Sequence, residues 1–194
     1  MNKIQILEKR VRELYENANP NRAEWADWLW ENHVLVVADY ATELAKRFDA
    51  NNDLARAAAL LHDIADTKIK RENKYHEVKS LQIAREIMNN SGFSDEDIGL
   101  VVDDAIRYHS CHNGEKPKSL EGKILSTADS LAHLKTDFYV YAVWARGKDG
   151  NNLKDVRDWV LKKIERDYND KIQFDEVRNE VKPDFDRIKI LFSR

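Results

Sequence analysis

Ala57-Ala58-Ala59-Leu60-Leu61-His62-Asp63-Ile64-Ala65 places two ionisable side chains inside an otherwise apolar run. Small and aliphatic residues in succession favour a helix buried on most of its circumference, and Asp53 upstream is a candidate for its cap. A carboxylate taken out of water without a partner is costly, so Asp63 requires compensation. Successive helical residues diverge by about 100°. One ion can therefore serve both His62 and Asp63 only if it lies between their directions and other segments complete its shell.

Two distant segments offer the missing groups. From Arg22 onward the apolar positions Trp25, Leu29, Val36, Tyr40, Leu44 and Phe48 follow helical spacing, and His33 falls on the same stripe, which points it inward. Asp129 stands in Ile124-Leu125-Ser126-Thr127-Ala128-Asp129-Ser130-Leu131-Ala132, a second carboxylate in a largely apolar helix. Singly, each residue has a plain structural explanation: a satisfied core histidine, or an Asp paired with Arg or Lys. Together they require separate partners for several buried polar groups. Two imidazoles and two carboxylates suit a borderline or hard divalent ion, Mn, Fe, Co, Ni, Zn or Mg, whereas thiolate-preferring ions would want more than the one cysteine present.

The rest of the chain reads as helical. Of 194 residues 42% are hydrophobic and 35% charged, and three Pro and six Gly interrupt the chain rarely enough to favour long helices over many short strands. Leu7, Val11 and Leu14 mark an opening helix ended by Asn19-Pro20-Asn21. Lys74 to Met88 forms another, closed by Asn89-Asn90-Ser91-Gly92, and Ser94 starts the next, running to about His109. Ser110 to Ser119 is a polar loop, Leu120 to about Trp144 a helix, and Gly147 to Asn152 a break. Two amphipathic segments follow, with Val156, Trp159, Val160 and Ile164, then Val181, Phe185, Ile188 and Phe192. The expectation is an all-α, compact helical bundle forming one domain over 1–194, with its core at about 25–135, the segments of 152–194 packed onto it and the metal site in a central cavity.

Charge and targeting signals narrow the partners. The net charge of -3 with dispersed Lys and Arg gives no basic patch for a nucleic-acid polymer. No apolar run reaches membrane-spanning length and Met1 to Leu14 is amphipathic, so the chain is expected to be soluble and cytoplasmic. Cys111 alone cannot form an intrachain disulfide. A homo-oligomer stays open.

In order and context, His33, the His62-Asp63 doublet and Asp129 resemble the H…HD…D signature of the HD superfamily of metal-dependent phosphohydrolases, over about residues 25 to 135. The resemblance implies these four as metal ligands, a divalent ion that activates water for attack on phosphorus, and a small phosphorylated substrate, often a nucleotide. Some members carry extra histidines between doublet and last Asp that hold a second metal. His76 and His109 occupy comparable places, and the alternative is that they orient substrate phosphate. Cys111 and His112 lie in a loop with Asn113-Gly114 and are read as nonligands. After the doublet, Ile64-Ala65-Asp66-Thr67-Lys68 departs from the Ile-Gly-Lys of many members, which weakens transfer of a particular substrate.

Position alone makes Asp66 a candidate catalytic proton acceptor, and Lys68 and Arg107 candidate phosphate contacts. There is no Gly-rich phosphate loop or dinucleotide fingerprint. Two rival functions stay in view. A two-iron HD-type oxygenase would need His76 and His109 as ligands, and a non-catalytic ligand-sensing module would use aromatic residues such as Trp25, Trp28, Trp144 and Trp159 for contacts.

Overall fold

The computed structural model describes residues 1–193, and among them every regular element is helical. Helix α1 (Lys3–Glu16) leads by a turn to α2 (Ala26–Leu29), a π-helical turn (Trp30–Val34) and α3 (Leu35–Arg47), which continue one another. Helix α4 (Asn52–Leu61) ends at the His62-Asp63 doublet and is followed by a 3-10 turn (Ile64–Thr67). Then come α5 (His76–Asn90), α6 (Asp95–Ile98) with its π-helical extension (Gly99–Ile106), α7 (Leu120–Lys135), α8 (Phe138–Lys148), α9 (Leu153–Arg166) with a π-helical turn (Asp167–Lys171), and α10 (Asp175–Phe192).

Local chemistry sets the ends. Asn51, not the expected Asp53, caps α4: its side-chain oxygen accepts from the backbone N–H groups of Asp53 at 3.1 Å and Leu54 at 3.2 Å, leaving Asp53 in the first turn. Ser94 and Asp97 form a reciprocal capping box at the start of α6. The segment expected as one helix from Leu120 to Trp144 is two, because Thr136 leaves helical geometry and its hydroxyl donates back to the Ala132 carbonyl at 2.6 Å.

Helix α7 is the axis of the bundle. Every residue from Ile124 to Leu134 is buried, and the helix packs against α3, α4, the π-helical extension 99–106, the turn 167–171 and α10. One hydrophobic core runs continuously from Ile4 in α1 to Phe185 in α10. A polar residue between Ile124 and Leu134 is therefore shielded from water, and the chain must supply its partners internally.

Candidate metal centre

Three of the four signature residues converge. The π-helical turn accommodates one more residue than an α-turn and shifts the phase of the following helix. His33 sits in this turn at 2% exposure with Leu29 and Val34 buried beside it, and the buried stripe then continues through Val37, Ala38, Ala41 and Leu44. His62 follows the buried end of α4, where its Nδ1 lies 2.7 Å from the Ala59 carbonyl. A carbonyl only accepts, so Nδ1 carries the proton and Nε2 presents its lone pair. Asp129 lies in the middle of α7.

The His33 and His62 Nε2 atoms are 3.2 Å apart, and Asp129 Oδ1 lies 3.3 Å from the first and 4.0 Å from the second. Ligand atoms about 2.0–2.1 Å from a common ion stand roughly 3–3.5 Å apart, so this spacing suits one divalent cation. Asp129 Oδ1 is also buried without a well-formed hydrogen bond, its near neighbours being the Nε2 atoms of His133 at 3.1 Å and His33 at 3.3 Å. Burial keeps His33 neutral by lowering its pKa. Burial alone would raise the Asp129 carboxyl, but His133 and Lys171 outweigh it and hold the group well below the ordinary range. Neutral imidazole and ionised carboxylate are the forms that ligate metal.

Asp63 stands slightly apart. Its Oδ2 is 3.6 Å from His62 Nε2, but both carboxylate oxygens accept from Arg71, one at 2.7 Å. Burial would raise this carboxyl too, and Arg71 with His62 keeps it well below the ordinary range. Asp66, the expected proton acceptor, is fully buried: one oxygen bonds His76 Nε2 at 2.8 Å and the other lies 3.0 Å from Arg71. It thus supports Arg71 and His76 behind Asp63. His76 joins that acidic pair rather than the three-residue group.

His109 lies close to the centre, its ring 5.4 Å from that of His62 and its Nδ1 2.6 Å from the Ile106 carbonyl, which leaves Nε2 as an acceptor. Burial pushes its pKa down to about 4. Cys111 departs from the solvated loop expected for it. It is buried, its Sγ 3.3 Å from Ser126 Oγ, whereas His112 is exposed beside Arg166. Lys68 is half-buried after the 3-10 turn, with no hydrogen bond or ion pair to the cluster among the described residues. Arg107 faces Asp103 at 3.6 Å in an outer groove of about 750 Å³ shared with Arg85. That groove is separate from the histidines.

Behind Asp129 lies a second network that no sequence motif marks. The Lys171 ammonium donates to Asp129 Oδ2, leaving Oδ1 toward the histidines. His133, one turn after Asp129, lies 3.1 Å from its Oδ1 through Nε2 and 2.9 Å from Asp167 through Nδ1. Tyr139 donates to Asp167 at 2.6 Å, and Lys163 is 3.2 Å from the same carboxylate. Ser126 and Ser130, one turn apart on α7, donate to the backbone carbonyls of Lys171 at 2.9 Å and Asp167 at 2.5 Å, seating the turn 167–171 against the axis. Phe138 covers the centre with an apolar wall, its ring 5.5 Å from His33 and 3.9 Å from His133. The i,i+4 spacing of Asp129 and His133, and of Lys163, Asp167 and Lys171, was the available signal, but it reads equally as a solvated charged face.

The family model for the HD domain matches residues 30–134, more than half of the chain. This chain belongs to the HD-domain family. The HD-domain protein is also 30% identical, over 116 residues, to a deoxyguanosinetriphosphate triphosphohydrolase-like protein of Caldanaerobacter subterraneus subsp. tengcongensis. The match covers 54% of this chain and 33% of that protein, so the chain corresponds to about a third of the relative's length. Among solved structures it resembles Bacillus subtilis YpgQ with a TM-score of 0.71 at 21% identity, covering 97% of this chain and 92% of that one. A predicted HD superfamily hydrolase from an uncultured Thermotogales bacterium gives 0.63 at 20%, covering 98% and 89%. At these identities the likeness establishes the fold. Among the described residues no helix is long and apolar enough to cross a membrane.

Proposed function

We propose that this HD-domain protein is a divalent-metal-dependent phosphohydrolase that cleaves a phosphate ester or anhydride bond, with a nucleotide or related small phosphorylated molecule as substrate. The observation that carries the reading is the buried Asp129 Oδ1, without a well-formed hydrogen bond, facing the Nε2 atoms of His33 and His62 at metal-ligand spacing. His33, His62 and Asp129 would hold the ion, with Asp63 beside them. A divalent ion there supplies Lewis-acid polarisation of a phosphoryl oxygen and acidification of water.

The chain's own residues supply the remainder. Arg71, half-buried at the edge of the centre, presents a planar guanidinium suited to a phosphate oxygen pair. Asp63 and Asp66 keep it charged: burial would lower its pKa, and the two carboxylates raise it above the ordinary arginine value. His109 Nε2 accepts a hydrogen bond from water or substrate, and Phe138 excludes bulk water from one side. A nucleotide substrate is supported by the relative named as triphosphohydrolase-like. The two-iron reading has less support, since His76 is engaged by Asp66.

Chelator-stripped protein reloaded with single divalent ions should bind one ion per chain and release phosphate or pyrophosphate from some member of a nucleotide and phosphate-ester panel. His62→Ala should lose both properties. Uniform inactivity with metal demonstrably bound would overturn the hydrolase reading in favour of a sensing module, and two irons per chain would favour the oxygenase.

A further inference from the structure

A cleft of about 420 Å³ opens between the segment around Trp25, the loop carrying Lys70 and Arg71, and the part of α8 bearing Tyr141 and Trp144. Its size falls within the range of small-molecule sites, roughly 300–1,000 Å³. Arg71 joins it to the metal centre. The residue lines the cleft, its guanidinium lies 5.2 Å from the Trp25 ring, and it hydrogen-bonds Asp63 at 2.7 Å. The cleft therefore ends one side chain away from the metal-site carboxylate.

The far wall is aromatic and held in place. Tyr141 stacks on Trp28 with centroids 4.0 Å apart and planes 3° from parallel. Trp144 stands 5.4 Å from Tyr141 and is 54% exposed, while the Lys148 ammonium lies 4.6 Å from its ring. An exposed indole beside a fixed ring offers a stacking surface, and Lys70, Arg71, Arg146 and Lys148 line the same space together with Glu24, Glu72 and Asp149, a small excess of positive charge. Aromatic faces for a base and guanidinium or ammonium groups for phosphate are together the chemistry that takes a planar aromatic anion.

We propose that this cleft is the base-recognition subsite of the substrate: a nucleotide binds with its base against Trp144 and its phosphates directed past Arg71 toward the metal centre. The direction of the phosphates rests on the phosphohydrolase reading above. Trp144 is thus a specificity-determining residue rather than part of the packing.

Calorimetry on the metal-stripped full chain tests this with two probes, a non-hydrolysable imido analogue of a purine nucleoside triphosphate and inorganic tripolyphosphate. Stacking of one base corresponds to an affinity gain on the order of ten-fold, so the analogue should bind at least that much tighter. Trp144→Ala should abolish the preference, and Val140→Ala, exposed on the same helix outside the cleft, should keep it. Equal affinity of the parent protein for both probes overturns the proposal, as does a preference that survives Trp144→Ala. A change of oligomeric state in Trp144→Ala without change in the preference assigns the face to a second copy of the chain and also overturns it. Phosphate release by the metal-loaded protein is read separately. Its absence with the Trp144-dependent preference intact ends the hydrolase reading and supports the subsite, whereas turnover without the preference ends the subsite alone.

Discussion

Two acid–cation pairs flank the same histidines and differ in where the cation sits. Lys171, against Asp129, has a side chain only 2% exposed, while Arg71, against Asp63, keeps 30%. Lys171 lies inside the bundle among Asp129, Asp167 and the α7 serines, with no room to exchange partners. Arg71 borders the cleft and can trade part of its carboxylate contact for water or phosphate. A buried ion pair resists loss of either member because the survivor is left charged without solvent. A pair whose cation keeps 30% exposure costs less to open, because water or a ligand reaches the guanidinium. The difference fits a closed side that holds Asp129 in place and an open side that, on the proposed function, meets the ligand.

The most severe test of that division is Asp129→Ala, which removes a proposed metal ligand and strands Lys171. We expect loss of metal to background, loss of turnover, and destabilisation by about 3–5 kcal/mol, measured by metal content and urea unfolding. Retained one-to-one metal would remove Asp129 from the centre.

Next in size is the contrast between Lys171→Met and Arg71→Met. The first should cost about 3 kcal/mol or more by leaving Asp129 unpaired, the second about 1–2 kcal/mol. Arg71→Met should also keep its metal and raise KM roughly ten-fold through loss of the proposed phosphate contact. Equal stability losses in the two variants would dissolve the distinction between closed and open sides.

The closed side should also dominate acid sensitivity in the metal-free protein. Burial pushes His133 down to about 3 and His109 to about 4, against roughly 6.5 in the unfolded chain. Below that value the unfolded state takes up protons that the folded histidines refuse. Their stability is therefore fully present above about pH 6.5 and is lost toward pH 3–4, at up to about 1.4 kcal/mol per pH unit for each group. His133→Gln should flatten the slope of urea midpoint against pH by about one proton, and an unchanged slope would show that His133 titrates normally. Lys163 acts at the other end: burial pushes it down to about 8, so between there and roughly pH 10.4 the unfolded chain holds the extra proton and this group's contribution to stability rises with pH.

The smallest effect belongs to Arg107→Ala. Its guanidinium lies in the outer groove opposite Asp103, so kcat and KM should stay within about two-fold, the usual range for a surface change. A larger loss would place that groove in the reaction.

Helix periods are legible in the sequence where one face alone is buried. The apolar stripe of α1 and the breaks around Gly92 and Gly150 follow from local spacing and turn chemistry, both glycines having positive φ. The stripe after His33 shifted by one residue, from the expected Val36 and Tyr40 to Val37 and Ala41, because the π-helical turn inserts a residue that no apolar period announces. Helix α7 was extended too far for a related reason: Phe138, Tyr139 and Ala142 continue an apolar pattern across the Thr136 break.

His62, Asp63, His33 and Asp129 stood out in the sequence because each interrupts an apolar helical run, and burying a polar group there demands a partner whatever the rest of the chain does. Arg71, Lys171, His133 and Asp167 did not. A charged residue in a loop or on an amphipathic helix looks the same whether water or a carboxylate from another segment neutralises it. Only the packing of the turn 167–171 against α7, and of the loop carrying Arg71 beside the doublet, decided which charges left solvent and which stayed at the mouth of the cleft.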